Sequence, residues 1–175
     1  GPCAGISAGL AVAHYKENLR DALDAARRAE RAAKDGGRDA LVLAVCRRSG
    51  EHSSALCHWD MVPTLEGWVE AFERGASDRW TYMLCEEAPS LGELPVEALE
   101  AELRRVLGRT EKETQEALKG VDAVAEAYRL YRAERARRSS QTVSDEVSAS
   151  LEAGSFAEFL TLVQSASFLA RGRDL

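Results

Sequence analysis

The segment KDGGRDALVL, residues 34–43, joins a strongly charged stretch to an almost continuous apolar one. Gly36 and Gly37 predict the end of a helix there, because glycine readily adopts the left-handed backbone through which a chain leaves a helix. The apolar run DALVLAVCRR, residues 39–48, predicts a strand directly after this turn. The sequence therefore predicts that a helix ends at the two glycines and that a strand follows directly.

The sequence on both sides of this connection predicts the order strand, helix, strand, strand. In ISAGLAVAHYK, residues 6–16, apolar residues alternate with small ones, which is typical of a strand whose small-residue face packs closely on another element. Residues 17–34 carry apolar side chains, mostly alanines, at helical spacing between charged positions. SGE at 49–51 predicts a turn, and HSSALCHW at 52–59 predicts the antiparallel partner of the preceding strand.

The rest of the chain has helical patterns throughout, so the predicted fold class is α+β, with a small sheet followed by an all-α bundle. Thr110 with Glu113, and Ser155 with Glu158, have the spacing of capping boxes and predict two helix starts. The serine-rich segment RRSSQTVSDEVSAS, residues 137–150, is typical of a mobile connection.

Charge is divided unevenly along the chain of 175 residues. Residues 1–62 carry nine Lys and Arg against eight Asp and Glu, whereas residues 63–175 carry 14 against 21. Broad coating of nucleic acid needs clustered cations, so the acidic part favours only local contacts with RNA.

The cysteine pattern and the apolar runs favour a cytoplasmic protein. No Cys-x-x-Cys pair occurs, which is typical of reduced thiols, and no segment has the character of a signal peptide or a membrane span. Gly1 and Pro2 have the form of a scar left by tag removal. The four cysteines are Cys3, Cys46, Cys57 and Cys85.

Residues 5–51 resemble the second palm domain of the large subunit of type III CRISPR effector complexes and, more distantly, the closing part of GGDEF domains. The resemblance rests on the strand ISAGLAVAHYK, the helix that follows and its ending AAKDGGRD. That ending matches the GGDEF pattern at Ala33, Lys34, Gly37 and Arg38. SDRWTYMLCEEAPSLGELPVEALEAELRRVLGRT and SFAEFLTLVQSASFLARG look like the helical C-terminal domain of the same CRISPR subunit.

The resemblance implies a partial ferredoxin-like palm in residues 3–62 and a helical domain in residues 63–175. It also implies that the intact parent converts ATP to cyclic oligoadenylate with Mg²⁺ or Mn²⁺ when target RNA is bound. Partners would be the other subunits of the ribonucleoprotein and its guide and target RNA.

No catalytic residue carries over from this family. Gly36-Gly37-Arg38-Asp39 follows a helix and has the wrong acidic spacing for the Gly-Gly-Asp-Asp turn, whose carboxylates hold metal in such palms. The isolated chain is therefore expected to be inactive and to hold neither ATP nor metal tightly. The resemblance does assign Lys34 and Arg38 to the triphosphate. The alternative is that both are solvated cations favoured by the helix dipole.

YRLYRAERARR, residues 128–138, mixes basic and aromatic residues and makes Arg129, Arg132 and Arg135 candidate RNA contacts. The alternative is an ordinary solvated arginine face with the tyrosines in the core.

His52, Cys57 and His58 do not make a convincing zinc site. Adjacent residues of a strand point to opposite faces, and a fourth ligand is missing. No metal site is predicted in this chain.

Two other functions stay open at this point. One is a non-catalytic module that binds protein or RNA and whose sheet is purely structural. The other is a degenerate GGDEF-type signalling domain, against which the long helical extension argues.

Overall fold

The computed structural model describes residues 5–47, 52–91, 94–139 and 145–172 and confirms the α+β fold class. The predicted turn at 49–51 and the residues Gly1 and Pro2 lie outside this described part. Its elements are β1 (Ala8–Ala13), α1 (Leu19–Asp35), β2 (Ala40–Cys46), β3 (His52–His58), a 3-10 turn (Trp59–Met61), α2 (Val62–Glu73), α3 (Arg79–Leu91), α4 (Val96–Leu107), α5 (Lys112–Ala117), α6 (Val121–Ser139) and α7 (Asp145–Gly172).

The described sheet has the order β1-β2-β3. β1 pairs with β2 in parallel, with Ala8 opposite Leu41, and α1 is the crossover that a parallel pair requires. β2 pairs antiparallel with β3, with Ala40 opposite His58. The predicted order of strand, helix, strand, strand is therefore confirmed.

One face of the sheet packs on α1 through small residues, as predicted. A Cβ atom on Gly9 would lie 2.2 Å from the Glu30 backbone nitrogen and 2.4 Å from the Ala26 carbonyl oxygen, so only glycine allows this approach. On the helix side, Ala29 and Ala33 are buried against the sheet.

The other face of the sheet shares one core with the helices. Leu43 and Cys57 belong to the same buried cluster as Trp68 of α2 and Phe159 of α7. The Trp68 and Phe159 rings meet edge to face at 5.6 Å, a favourable aromatic geometry. The core therefore runs without a break from the sheet into the helical part.

The C-terminal helix α7 is central to this core. Residues 155–170 of α7 are mostly buried, including Phe156 and Leu160, so apolar side chains surround the helix instead of forming one stripe. In the described part of the chain, no helix combines the length and the apolarity needed to cross a membrane.

Neither predicted capping box is formed, although the helix start predicted near Thr110 is confirmed, since α5 begins at Lys112. Ser155 and Glu158 lie within α7, which begins at Asp145, so the predicted mobile connection is helical from that residue onward, and residues 140–144 lie outside the described part. The Thr110 hydroxyl donates to the Leu107 carbonyl at 2.7 Å, and α5 follows Glu111 as its N-cap.

Candidate functional site

The candidate site is the loop that ends α1. The Gly36 amide donates to the Ala32 carbonyl at 2.8 Å, and the Arg38 amide donates to the Ala33 carbonyl at 3.1 Å. Gly37 has a φ of 102°. The Gly36 bond is the last ordinary bond of the helix, whereas the Arg38-to-Ala33 bond and the left-handed Gly37 are those of a Schellman motif, which satisfies carbonyls at a helix end. The predicted role of the glycines as a helix stop is confirmed.

Two further residues of the loop are left-handed without being glycine. Arg38 has a φ of 62° and Asp39 a φ of 48°. Each such residue costs about 1–3 kcal/mol, so surrounding contacts must hold them in place. One of these contacts joins the Asp39 Oδ1 atom to the Ile6 amide at 3.3 Å, which ties the loop to the segment before β1.

Lys34 and Arg38, the two predicted phosphate contacts, leave the chain at this one helix end, and both are exposed. The Lys34 ammonium lies 2.7 Å from Glu30 Oε1, one turn earlier in α1. The hydrogen bond and the charge of Lys34 lower the pKa of Glu30. An exposed ion pair of this kind is weak, so Lys34 can exchange its partner for a stronger anion at little cost.

Arg135 of α6 lies next to the same loop. A Cβ atom on Gly36 would lie 3.6 Å from the Arg135 Nη1 atom, and 2.5 Å from Leu56 Cδ1. The Arg135 Nη2 atom is 2.8 Å from Glu158 Oε2, and the side chain of Arg135 is only 17% exposed. The structure thus brings together two features that the sequence placed about 100 residues apart, namely the end of α1 and an arginine of α6.

The other two arginines proposed for RNA occupy different surroundings on α6. Arg129 binds both carboxylate oxygens of Glu100, with Nε–Oε1 at 2.9 Å and Nη2–Oε2 at 2.6 Å, and Glu100 is buried. These bonds lower the pKa of Glu100. Arg132 is half-buried and has an interaction partner of its own. RNA binding by Arg129, Arg132 and Arg135 stays a prediction, whereas the expected burial of Tyr128 and Tyr131 is confirmed.

The sequence of the chain was compared with those of known proteins. The chain is similar to a CRISPR protein. The protein is the CRISPR system Cmr subunit Cmr2 of Pyrococcus furiosus, with 29% identity over 120 residues. The aligned part covers 63% of this chain and 14% of that relative, so the chain spans a small share of the relative's length. No family model matches the chain.

The three residues considered as zinc ligands differ in solvent exposure. His52 is exposed at one end of β3, whereas Cys57 and His58 are buried at the other end. Burial raises the pKa of the Cys57 thiol to about 12, and the metal ligand would be the thiolate. Within the described ranges, no three His, Cys, Asp or Glu side chains are grouped so that they could hold a metal ion.

One candidate site was missed by sequence reasoning. Arg79 of α3 and Arg109, just after α4, line one cavity together with the buried indole of Trp80. Lone arginines on separate helices give no sequence pattern, so only the packing of α3 on α4 reveals their proximity.

Proposed function

We propose that this chain is the part of a type III CRISPR large subunit in which the end of α1 supplies two cations to the triphosphate of ATP. In the intact parent, this site would serve the conversion of ATP to cyclic oligoadenylate when target RNA is bound. The similarity to Cmr2 supports the assignment, as does the α+β order, which is the order that the resemblance implies.

The observation that carries the proposal is the fixed geometry of the loop. The Schellman bond from Arg38 to Ala33 closes α1, and the hydrogen bond from Ile6 to Asp39 restrains the loop beyond it. Lys34 and Arg38 therefore project from one restrained turn. A preorganised pair of cations loses less conformational entropy when it binds an anion than two cations on mobile segments.

The two side chains suit different parts of a triphosphate. Arg38 carries a planar guanidinium that can donate two parallel hydrogen bonds to one phosphate. Lys34 carries a compact ammonium that neutralises charge from a flexible stem. Arg135, next to Gly36, adds a third positive group on the bundle side of the loop and is ion-paired with Glu158.

The described residues do not fit a catalytic metal. Asp35 and Asp39 are the carboxylates next to the two cations in sequence. Asp39 accepts a hydrogen bond from the Ile6 amide, and within the described residues neither carboxylate belongs to a group of three His, Cys, Asp or Glu side chains that could hold a metal ion. Mg²⁺ or Mn²⁺ would then be held by carboxylates from another part of the parent, and no step of this proposal passes through a metal bound here.

The free side of β1 provides a place where another part of the parent can join the sheet. In the described sheet β1 pairs with β2 alone, and Leu10 of β1 is 46% exposed. A cavity of about 540 Å³ lies beside it, lined by apolar side chains that include Val12 and Leu65. An unpaired strand edge next to apolar surface is suited to accept a further strand.

The helical part would then dock the other subunits of the ribonucleoprotein or its guide and target RNA. Similarity to a CRISPR subunit is the support for this role.

The test uses the intact large subunit in its RNA-bound complex, with ATP as substrate. Lys34→Ala and Arg38→Ala should each reduce formation of cyclic product by about tenfold or more, since each removes a charge-assisted contact to phosphate. Arg20→Ala, at the opposite end of α1, is the matched control and should leave the rate unchanged. Equal rates for all three variants would favour a purely structural sheet.

A further inference from the structure

A second cavity lies in the helical part, between the beginning of α3 and the end of α4. Its volume is about 340 Å³, within the range usual for small-ligand sites. Three arginines line it, Arg79, Arg105 and Arg109, together with Trp80 and Met83. The lining includes one carboxylate, that of Glu111.

Two of these arginines make no ion pair at contact distance in the described part of the chain, although the nearby charge of Arg109 helps to lower the pKa of Glu102. Arg105 is held by Glu102 through two hydrogen bonds, with the Nε–Oε2 distance at 2.7 Å. Within the described part of the chain, neither Arg79 nor Arg109 lies within ion-pair distance of an acidic group, and both are exposed. Exposed cations gathered at a cavity are unexpected in residues 63–175, where acidic residues outnumber basic ones by 21 to 14.

A buried donor lines the same cavity. Trp80 is 1% exposed, and its indole Nε1–H has no acceptor among the described residues. Buried N–H groups nearly always have partners, so this donor is available to an acceptor of a bound ligand. Met83, which is 56% exposed, is a flexible neighbour whose movement can admit a ligand to the indole.

The backbone at the beginning of α3 also favours a negatively charged ligand in the cavity. Arg79 is the first residue of α3, a helix of 13 residues, so the positive end of its dipole lies at the cavity. Ser77 also lines the cavity, and its hydroxyl oxygen accepts a hydrogen bond from the Arg79 backbone amide at 3.4 Å. This bond is long, so a bound anion can replace the hydroxyl as the acceptor.

We propose that this cavity binds a phosphate group of a nucleotide or of an RNA backbone. Arg79 and Arg109 would hold the phosphate oxygens, and the Trp80 indole would donate to a further acceptor of the ligand. The inference goes beyond the triphosphate site at α1 and does not rest on it, since the two sites share no residue.

The test follows the indole resonance of Trp80 by two-dimensional ¹H–¹⁵N NMR, assigned from the spectrum of Trp80→Phe. Inorganic phosphate, ATP and a ten-nucleotide single-stranded RNA are titrated separately into the full 175-residue chain. We expect a saturable shift of the Trp80 resonance, with affinity at least tenfold weaker in the double variant Arg79→Gln/Arg109→Gln. Arg20→Gln, which removes an equally exposed arginine of α1, should have no effect.

The three probes identify the source of the phosphate. Tighter binding of ATP than of phosphate assigns a mononucleotide, and tighter binding of RNA than of ATP assigns an RNA backbone. The proposal is overturned if neither binds more tightly than inorganic phosphate, or if the double variant leaves the shift unchanged. Lys34→Ala/Arg38→Ala should leave the Trp80 shift intact, so this test fails or succeeds independently of the proposed function.

Discussion

Glu158 in the middle of α7 accepts a hydrogen bond from the backbone amide of Leu56 in β3, at 3.2 Å. Its other carboxylate oxygen, Oε2, lies 2.8 Å from the Arg135 guanidinium. One side chain therefore satisfies an amide on the outer side of an edge strand and an arginine next to the α1 loop. Edge strands usually need such cover.

Replacing Glu158 with alanine should destabilise the fold by about 2–3 kcal/mol, because it removes the acceptor of a part-buried amide and the ion-pair partner of a mostly buried guanidinium. Urea unfolding followed by circular dichroism measures the effect. Glu126→Ala is the matched control, since Glu126 pairs with Arg129 at the surface and should cost less than about 1 kcal/mol. Equal effects of the two substitutions would contradict the bridging role of Glu158.

Gly9→Ala should be among the most destabilising single substitutions, at about 3 kcal/mol, because the added Cβ would overlap the backbone of α1. Gly67→Ala in α2 is its counterpart. The nearest atom to a Cβ on Gly67 is Lys119 Nζ at 3.9 Å, so this change should stabilise the helix by about 0.5–1 kcal/mol. Thermal unfolding of the two variants measures the difference. Equal shifts of the unfolding midpoint by both substitutions would contradict the close contact between β1 and α1.

The strand and helix order, the glycine stop and the small-residue face of β1 were predictable because each depends on periodicity or on residue type within a short segment. Ser155 and Glu158 show the limit of this reasoning. Their spacing satisfies a capping rule, but α7 is buried on most sides, so a start signal in its sequence is not used. Ser155 is buried within the helix instead.

The candidate sites also differ in whether the sequence could predict them. Lys34 and Arg38 lie in one segment, which made them visible from sequence. The position of Arg135 beside Gly36, and that of Arg79 beside Arg109, depend on how separate helices pack, and no local pattern encodes this.

Stability should fall at acid pH through Glu100. Hydrogen bonds from Arg129 lower the pKa of this buried carboxyl below its ordinary value of 4.5. The unfolded chain then binds a proton before the folded one as the pH falls, so the contribution of Glu100 is complete above pH 4.5 and is lost below it. Between pH 7 and pH 3, the free energy of unfolding measured in urea should decline less for Glu100→Gln than for the unmodified chain.

The control for that experiment is Glu116→Gln, which removes an exposed carboxyl of α5. It should reproduce the decline of the unmodified chain. A decline in Glu100→Gln as steep as that of the control would mean that other groups dominate the acid response.

Cys57 should resist alkylation in the folded chain. Burial excludes reagents and raises its pKa to about 12, so almost no thiolate forms at pH 8. Iodoacetamide treatment followed by mass spectrometry should leave the Cys57 peptide unmodified in buffer and modify it fully in 6 M guanidinium chloride. Rapid labelling in buffer would show that β3 separates easily from the helices.

The most direct test of the central claim is a titration of the chain with ATP, followed by the backbone amide resonances of Gly36, Gly37 and Arg38. The account predicts saturable shifts at millimolar ATP, weaker shifts with AMP, and loss of the response in Lys34→Ala/Arg38→Ala. Shifts of the same size with AMP, or a response that survives the double substitution, would contradict a triphosphate site at the end of α1.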